Sequence, residues 1–239
     1  MKRALVTGGS GELGRAIALR LSRDGHHVYV HANAGLERAQ ESAADIRAVG
    51  GSAEAVAFDV TQAAAAEAAL AQLLTAGPIQ ILVNNAGIHD DAVMPAMRPD
   101  QWHRVIDVSL NGFFHVTQPL LLPMIRTRWG RIINMSSISA LIGTRGQANY
   151  AAAKAGLIAA GRSLAAEVAS RGITVNAVAP GIIESQMSNA VFDPATIKKL
   201  VPMKRAGQPH EVADLVGFLA SEEAAYISGQ VIAINGAMM

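Results

Sequence analysis

The amino-acid sequence predicts an α/β fold, a doubly wound parallel sheet of about seven strands with helices on both faces, a Rossmann fold in one domain over residues 1–239. Three observations predict it. Short runs rich in β-branched residues alternate with longer helical patterns along the whole chain. The short runs are apolar without strict alternation, as strands covered on both faces are. No repeat, low-complexity tract or linker breaks the series.

In order, the first strand is expected at 4–7, where Ala4-Leu5-Val6-Thr7 is apolar and leads into a glycine cluster, and the first helix at 12–24. A strand at 27–31 and a helix at 35–49 follow, then a strand at 53–58 and a helix at 62–75. That third helix opens with Ala63 to Ala66, and alanine is the best helix former. The next strand, 79–83, precedes one long helix over 99–126. The strand 131–135 is followed by a helix at 150–170, which holds the run Ala151 to Ala153. Strand 174–177, helix 209–220 and strand 230–234 complete the series. Right-handed crossovers assemble such a series into the doubly wound sheet. Ligands of these sheets bind beyond the carboxyl ends of the strands, so the residues after each strand are the candidate site.

Composition narrows the function classes. With 239 residues, 51% of them hydrophobic and 16% charged, the chain is not of the disordered type. The 20 basic and 19 acidic residues nearly balance, so no nucleic-acid or membrane partner is expected. There is no cysteine, which removes disulfides, thiolate metal sites and cysteine nucleophiles. The nine methionines read as packing filler, and His89, His103 and His115 as surface or helix residues, so no metal site is expected. Lys2 and Arg3 precede an apolar run that stops too soon for a secretory signal, and no run of about 18 apolar residues exists. A soluble cytoplasmic protein is the expectation.

After the first strand, Gly8, Ser10, Gly11, Leu13 and Gly14 lead into a helix. Glycines let backbone amides approach a pyrophosphate, and the helix N-terminus supplies partial positive charge. The second strand runs into Asn33 with no acid to hold ribose hydroxyls or to repel a 2′-phosphate. That favours NADPH as cofactor, with Asn33 and either Arg38 or Arg15 near the phosphate. After the third strand, Asp59 either accepts from an adenine amino group or caps the helix before Thr61, and Val60 follows it. After the fourth, Asn84-Asn85-Ala86-Gly87 lets backbone approach a flat ring. Tyr150 and Lys154 lie one turn apart on one face of a helix. A free phenol titrates near 10, and an adjacent ammonium is expected to lower that value toward the working range. The same lysine is placed to donate to ribose hydroxyls. Ser137, directly after the fifth strand, is placed to hydrogen-bond a substrate carbonyl, with Ser136 and Ser139 as turn-capping alternatives. After the sixth, Pro180, Gly181, Ile183 and Ser185 are expected over a nicotinamide.

These motifs together resemble the short-chain dehydrogenase/reductases, and most closely the 3-oxoacyl-[acyl-carrier-protein] reductases. The matching stretches are Thr7 through Gly14, Asn84 through Gly87, Ser137, Gly146 through Gly156 with Tyr150 and Lys154, and Asn176 through Gly181. Gly207 through Ala213 and Ser228 through Gln230 match as well. The resemblance implies a homotetramer, a Ser–Tyr–Lys catalytic set and hydride transfer from NADPH to a 3-oxoacyl thioester. It also implies that Arg128 and Arg171 receive the acidic carrier protein.

Two positions depart from the family pattern. Glu12 stands where a glycine is usual. A carboxylate about 5 Å from a pyrophosphate costs roughly 3 kcal/mol at an effective dielectric near 20, about a hundredfold in affinity. Glu12 is therefore expected to turn to solvent. Ser109 aligns with the asparagine that kinks its helix and holds a water in the family's proton relay. Asn111 lies about 200° around the helix and does not substitute, while a serine still bonds water or a carbonyl. The leading reading is an NADPH-dependent 3-oxoacyl thioester reductase. The alternatives are an acetoacetyl-CoA reductase or a ketoreductase of a specialised polyene or polyketide pathway, decided by residues 89–97 and 184–200. The remote alternative is a non-catalytic dinucleotide-binding scaffold, against which the intact Ser137, Tyr150 and Lys154 stand.

Overall fold

The computed structural model describes residues 1–185, 188 and 192–239. Its strands are β1 (Arg3–Val6), β2 (His27–Ala32), β3 (Ser52–Ala57), β4 (Ile81–Asn84), β5 (Gly130–Met135), β6 (Ile173–Pro180) and β7 (Val231–Ile234). They form one seven-stranded sheet in the order β3-β2-β1-β4-β5-β6-β7, and every pairing is parallel. The order reverses between β1 and β4, which opens a crevice at their carboxyl ends.

Helices α1 (Glu12–Arg23), α2 (Leu36–Ala48) and α9 (Pro209–Ala220) bury Ile17, Leu21, Ile46 and Val216 against one face. Helices α3 (Ala63–Leu74), α5 (Gly112–Thr127) and α7 (Ala148–Val168) bury Leu70, Leu120, Met124 and Leu164 against the other. The central strands β4, β5 and β6 are buried at every residue, which is why their sequences do not alternate. The edge strands β3 and β7 are mixed. No helix among the described residues is long and apolar enough to cross a membrane.

Some expected bounds shift. The first strand ends at Val6: the chain turns at Gly8, with φ +62°, and the Thr7 hydroxyl accepts from the backbone N–H groups of Asn85 and Ala86, at 2.9 and 3.0 Å. The sixth strand continues to Pro180, whose carbonyl accepts from the Ile138 N–H at 2.9 Å. Two short helices, α6 (Ser139–Ile142) and α8 (Pro194–Leu200), lie where none was expected. The long helix expected over 99–126 is two helices, α4 (Pro99–Ile106) and α5, joined by a widened π-type turn at Asp107–Asn111. The helical periodicity of the sequence runs through this turn, so only the backbone hydrogen bonding reveals it.

Candidate active site

The crevice between β1 and β4 is built from two loops that hold each other. Gly8 has φ +62°, a conformation that favours glycine. Its carbonyl accepts from the Asn85 side chain at 3.2 Å and from the Gly11 N–H at 3.2 Å. A Cβ on Gly14 would strike the Gly8 carbonyl oxygen, so only glycine lets α1 start this close to the loop. Gly11 is the N-cap of α1 and makes no side-chain cap, which leaves the first-turn amides to face an anion. Glu12 is exposed, as expected of it, and sits in the first turn of α1, where its charge complements the helix dipole. Ser10 and Leu13 are half-buried beside this loop.

The far side of the crevice follows β2 and β3. Asn33 is exposed. The Arg15 guanidinium is paired with Asp45, while Arg38, in the first turn of α2, lies over Gly35, 3.2 Å from where a Cβ would stand. Of the two arginines considered for a 2′-phosphate, Arg38 is the one not drawn to this carboxylate. One Asp59 carboxylate oxygen accepts from both the backbone N–H and the hydroxyl of Thr61, each at 2.8 Å. Asp59 thus closes a turn onto Thr61 rather than capping the helix, since the N-cap of α3 is Gln62. Val60 is buried against Gly112, and its carbonyl accepts from the His115 ring at 2.9 Å.

Helix α7 carries Tyr150 and Lys154 into the crevice. Asn149, fully buried, sets the start of this helix. Its amide donates to the Asp90 carbonyl at 2.9 Å and the Gln101 carbonyl at 3.1 Å, and its oxygen accepts from the Tyr150 N–H at 2.8 Å. Lys154 is 3% exposed and donates to the Met135 carbonyl at 2.8 Å, with Nζ 5.7 Å from the Tyr150 ring centre. Burial pulls its pKa down to about 8.

The Tyr150 pKa is raised, not depressed as its spacing from Lys154 led one to expect. Burial raises it, a side-chain hydrogen bond with Ser137 opposes the rise, and the negative field of Asp91 adds to it. Removing a phenolate from water outweighs any help from a buried ammonium some distance away. Tyr150 is thus a neutral acid. Ser137 meets this phenol from the end of β5, and its oxygen also accepts from the Ser139 N–H at 3.2 Å. Ser136 turns the other way and donates to the Lys154 carbonyl at 2.9 Å.

Ser109 lies inside the widened turn, 3% exposed, and its hydroxyl has no hydrogen-bond partner in the protein. A Cβ on Gly87 would stand 2.9 Å from the Lys154 Nζ and 3.6 Å from the Ser109 oxygen. Gly87 thus lies against both the lysine and a buried hydroxyl with unused bonding capacity, a polar setting suited to water. Asn111 is on the outer side, where its amide donates to Asp107 at 2.7 Å.

Pro180 ends β6 opposite Ile234, Gly181 follows it against Asn235, and Ile183 is bridged to Gly207. Ser185 is bonded to Ser188, its N–H donating to the Ser188 hydroxyl at 3.0 Å. Of the substrate-side stretch 184–200, Gln186, Met187 and residues 189–191 lie outside the described residues. Arg128 and Arg171 neighbour each other, and the Arg128 side chain donates to the Ser170 carbonyl at 3.2 Å. They precede β5 and β6, whereas Ser137 and Gly181 follow these strands. At about 3.3 Å per residue the six-residue β5 alone puts about 20 Å between the arginines and the catalytic set.

Thr7, His31, Asp91 and Asn149 carry no chemical mark of their own in the sequence. Asn149 and Thr7 sit inside the matching motifs, and that adjacency was the available signal. Asp91 acts through its field on a residue far along the chain, which no local pattern marks.

A family model described as enoyl-(acyl carrier protein) reductase matches residues 10–238. A 3-oxoacyl-[acyl-carrier-protein] reductase of Aggregatibacter actinomycetemcomitans is 43% identical over 236 residues, 98% of each chain. The protein of the same name from Escherichia coli K12 is 43% identical over 240 residues, 99% of this chain and 97% of the relative. The chain belongs to the short-chain dehydrogenase/reductase family. A crystal structure titled as a putative gluconate dehydrogenase from Agrobacterium tumefaciens superposes on this short-chain dehydrogenase/reductase with a TM-score of 0.96 at 36% identity, covering 99% of this chain and 95% of that one.

As a short-chain dehydrogenase/reductase the chain is an oxidoreductase that binds a nicotinamide dinucleotide. Its residues fit such a cofactor: the α1 amides are uncapped beside the crevice, a side chain on Gly14 would strike the loop backbone, and one on Gly87 would push on the Lys154 ammonium. Gly87→Ala is expected to lower turnover by about tenfold or more, because the added methyl must displace the Lys154 ammonium. Its melting temperature is expected to stay within about 3 °C, since the struck atom ends a flexible side chain. A variant with unchanged steady-state turnover would remove Lys154 placement as the role of Gly87.

Proposed function

We propose that the protein reduces 3-oxoacyl thioesters held on acyl-carrier protein to 3-hydroxyacyl thioesters, using NADPH. The observation that carries this reading is the convergence of the Ser137 hydroxyl and a neutral Tyr150 phenol beside the buried Lys154 at the carboxyl ends of β4 and β5. Two hydroxyls at one point suit a carbonyl oxygen, which needs orientation and then a proton. The substrate class is supported by the full-length relatives named 3-oxoacyl-[acyl-carrier-protein] reductase.

The dinucleotide supplies a hydride to the carbonyl carbon when bound. Ser137 holds the carbonyl oxygen, and Tyr150 gives that oxygen its proton. Lys154 would hold the ribose of a bound dinucleotide and feed the proton path, and Ser109 would hold water behind it in place of the family's asparagine. The preference for NADPH is supported by Asn33 in place of an acid and by Arg38 near Gly35. We also propose a homotetramer. The pair Arg128 and Arg171 then receives the carrier protein for the catalytic set of a neighbouring subunit, since within one chain the two lie at opposite ends of the sheet.

The test is NADPH oxidation with 3-oxoacyl substrates on carrier protein and on CoA, with a 2-enoyl thioester alongside. Oxidation with the 3-oxoacyl carrier substrate and none with the enoyl substrate is expected. Oxidation with the enoyl substrate alone, or with none of the three, overturns the reading. In the same assay, Arg128→Glu with Arg171→Glu is expected to raise KM for the carrier-bound substrate about tenfold at low salt and to leave the CoA substrate unchanged. Equal effects on both substrates would show that the arginines do not read the carrier.

A further inference from the structure

The end of β2 carries a buried imidazole that the reaction does not use. His31 is 1% exposed, pairs with Val56 in the sheet and packs its ring on Phe58 at 4.2 Å between centres. Its Nδ1 accepts from the Gly8 backbone N–H at 3.1 Å, and its Nε2 meets the Phe58 carbonyl at 2.8 Å. A backbone N–H only donates and a carbonyl only accepts. Nδ1 is therefore bare and Nε2 carries the hydrogen, which fixes one neutral tautomer.

We propose that His31 is a positioning residue for dinucleotide binding, a neutral clamp that ties the phosphate-facing Gly8 loop to the Phe58–Asp59–Val60 segment at the end of β3. The proposal rests on the dinucleotide reading of the crevice. Three contacts converge on Gly8: its N–H is taken by His31, and its C=O by Asn85 and Gly11. The peptide groups on both sides of the Gly8 Cα are then fixed before any ligand arrives, in a backbone conformation with φ +62°. The amides left for a phosphate are those of the α1 first turn, and the clamp sets where they stand. Without it the free loop samples other arrangements, and binding must order it again.

Protonation breaks the clamp, because an imidazolium would turn an N–H toward the Gly8 N–H. Burial pulls the His31 pKa down to about 4, with the Phe58 carbonyl and the charge of Asp59 opposing. The Gly8 loop itself carries no titratable side chain from Thr7 to Gly11, and on β2 the other histidine, His27, is turned to Ser52 and Glu54. The clamp thus holds at neutral pH, and dinucleotide affinity falls as pH drops through about 4.

The test compares His31→Phe, which keeps the ring and loses both polar contacts, with His31→Asn, whose oxygen can stand near the Nδ1 position. Dinucleotide Kd is read by titration with NADPH from pH 4 to 8, with melting temperatures alongside. His31→Phe is expected to raise Kd about tenfold or more at pH 7, with turnover at saturating cofactor within about threefold. His31→Asn is expected to bind within about threefold of the unsubstituted protein and to lose the fall in affinity near pH 4. Unchanged Kd in His31→Phe overturns the proposal, as does equal weakening in the two variants at equal melting temperature. If His31→Phe does not fold, the imidazole tautomer of the unsubstituted protein, read by nitrogen NMR, decides: a hydrogen on Nε2 supports the clamp and one on Nδ1 overturns it. An unsubstituted protein without affinity for NADPH or NADH removes the dinucleotide reading itself, a result distinct from weakening in the variants.

Discussion

Tyr150→Phe is expected to lower turnover in 3-oxoacyl thioester reduction by about 10²–10⁴-fold while dinucleotide affinity changes by less than about threefold. The phenol is the acidic group that Ser137 meets at the crevice, and burial keeps it protonated above its ordinary range. It therefore enters the reaction as an acid, the form that carbonyl reduction consumes. The ring that packs in the crevice is kept in the variant, so binding has little reason to change. A stopped-flow or steady-state assay at saturating NADPH checks the prediction, and undiminished reduction would remove Tyr150 as the proton donor. Because the phenol stays protonated, the alkaline limb of the turnover profile belongs to Lys154, whose pKa lies at about 8. Turnover is expected to fall as pH rises through that value.

Lys154→Met is expected to lower turnover by a similar factor of about 10²–10⁴ and yet to raise stability. Lys154 is 3% exposed and its cause of perturbation is burial alone, with no opposing charge among its causes. An ammonium with a folded-state pKa near 8 and an unfolded value near 10.4 is held at a cost below pH 8. Between those values the unfolded chain binds more protons than the folded one, so stability rises with pH across this window. Methionine removes the cost but forgoes the hydrogen bond to the Met135 carbonyl. A net gain of about 1–3 kcal/mol at pH 7 follows, or about 3–8 °C in melting temperature, vanishing toward pH 10.5. Thermal unfolding at pH 7 and pH 10.5 checks this, and a variant less stable at pH 7 would show that Lys154 is held by favourable charge rather than against burial.

Much of the site is readable in the chain because its pieces are local. Each loop that meets the crevice directly follows a strand, and strand runs are visible as apolar segments. Glycines at 8 and 14 are needed where the backbone turns left-handed or meets backbone, and the pair Tyr150 and Lys154 shares a helix face through one turn of spacing. The expected doubly wound sheet of about seven strands is the sheet observed, and its bounds differ by a few residues, as at Val6, where the chain turns at Gly8.

What the sequence alone determined was the fold class and the family, since strand, turn and helix patterns are written in neighbouring positions. Only the tertiary structure decided the direction of the Tyr150 shift, the widened turn that buries Ser109, the separation of Arg128 and Arg171 from the catalytic set, and the His31 clamp on Gly8. Each of these depends on desolvation or on hydrogen bonds between distant segments, and both are set by what the folded chain packs around a group rather than by the residues beside it in sequence.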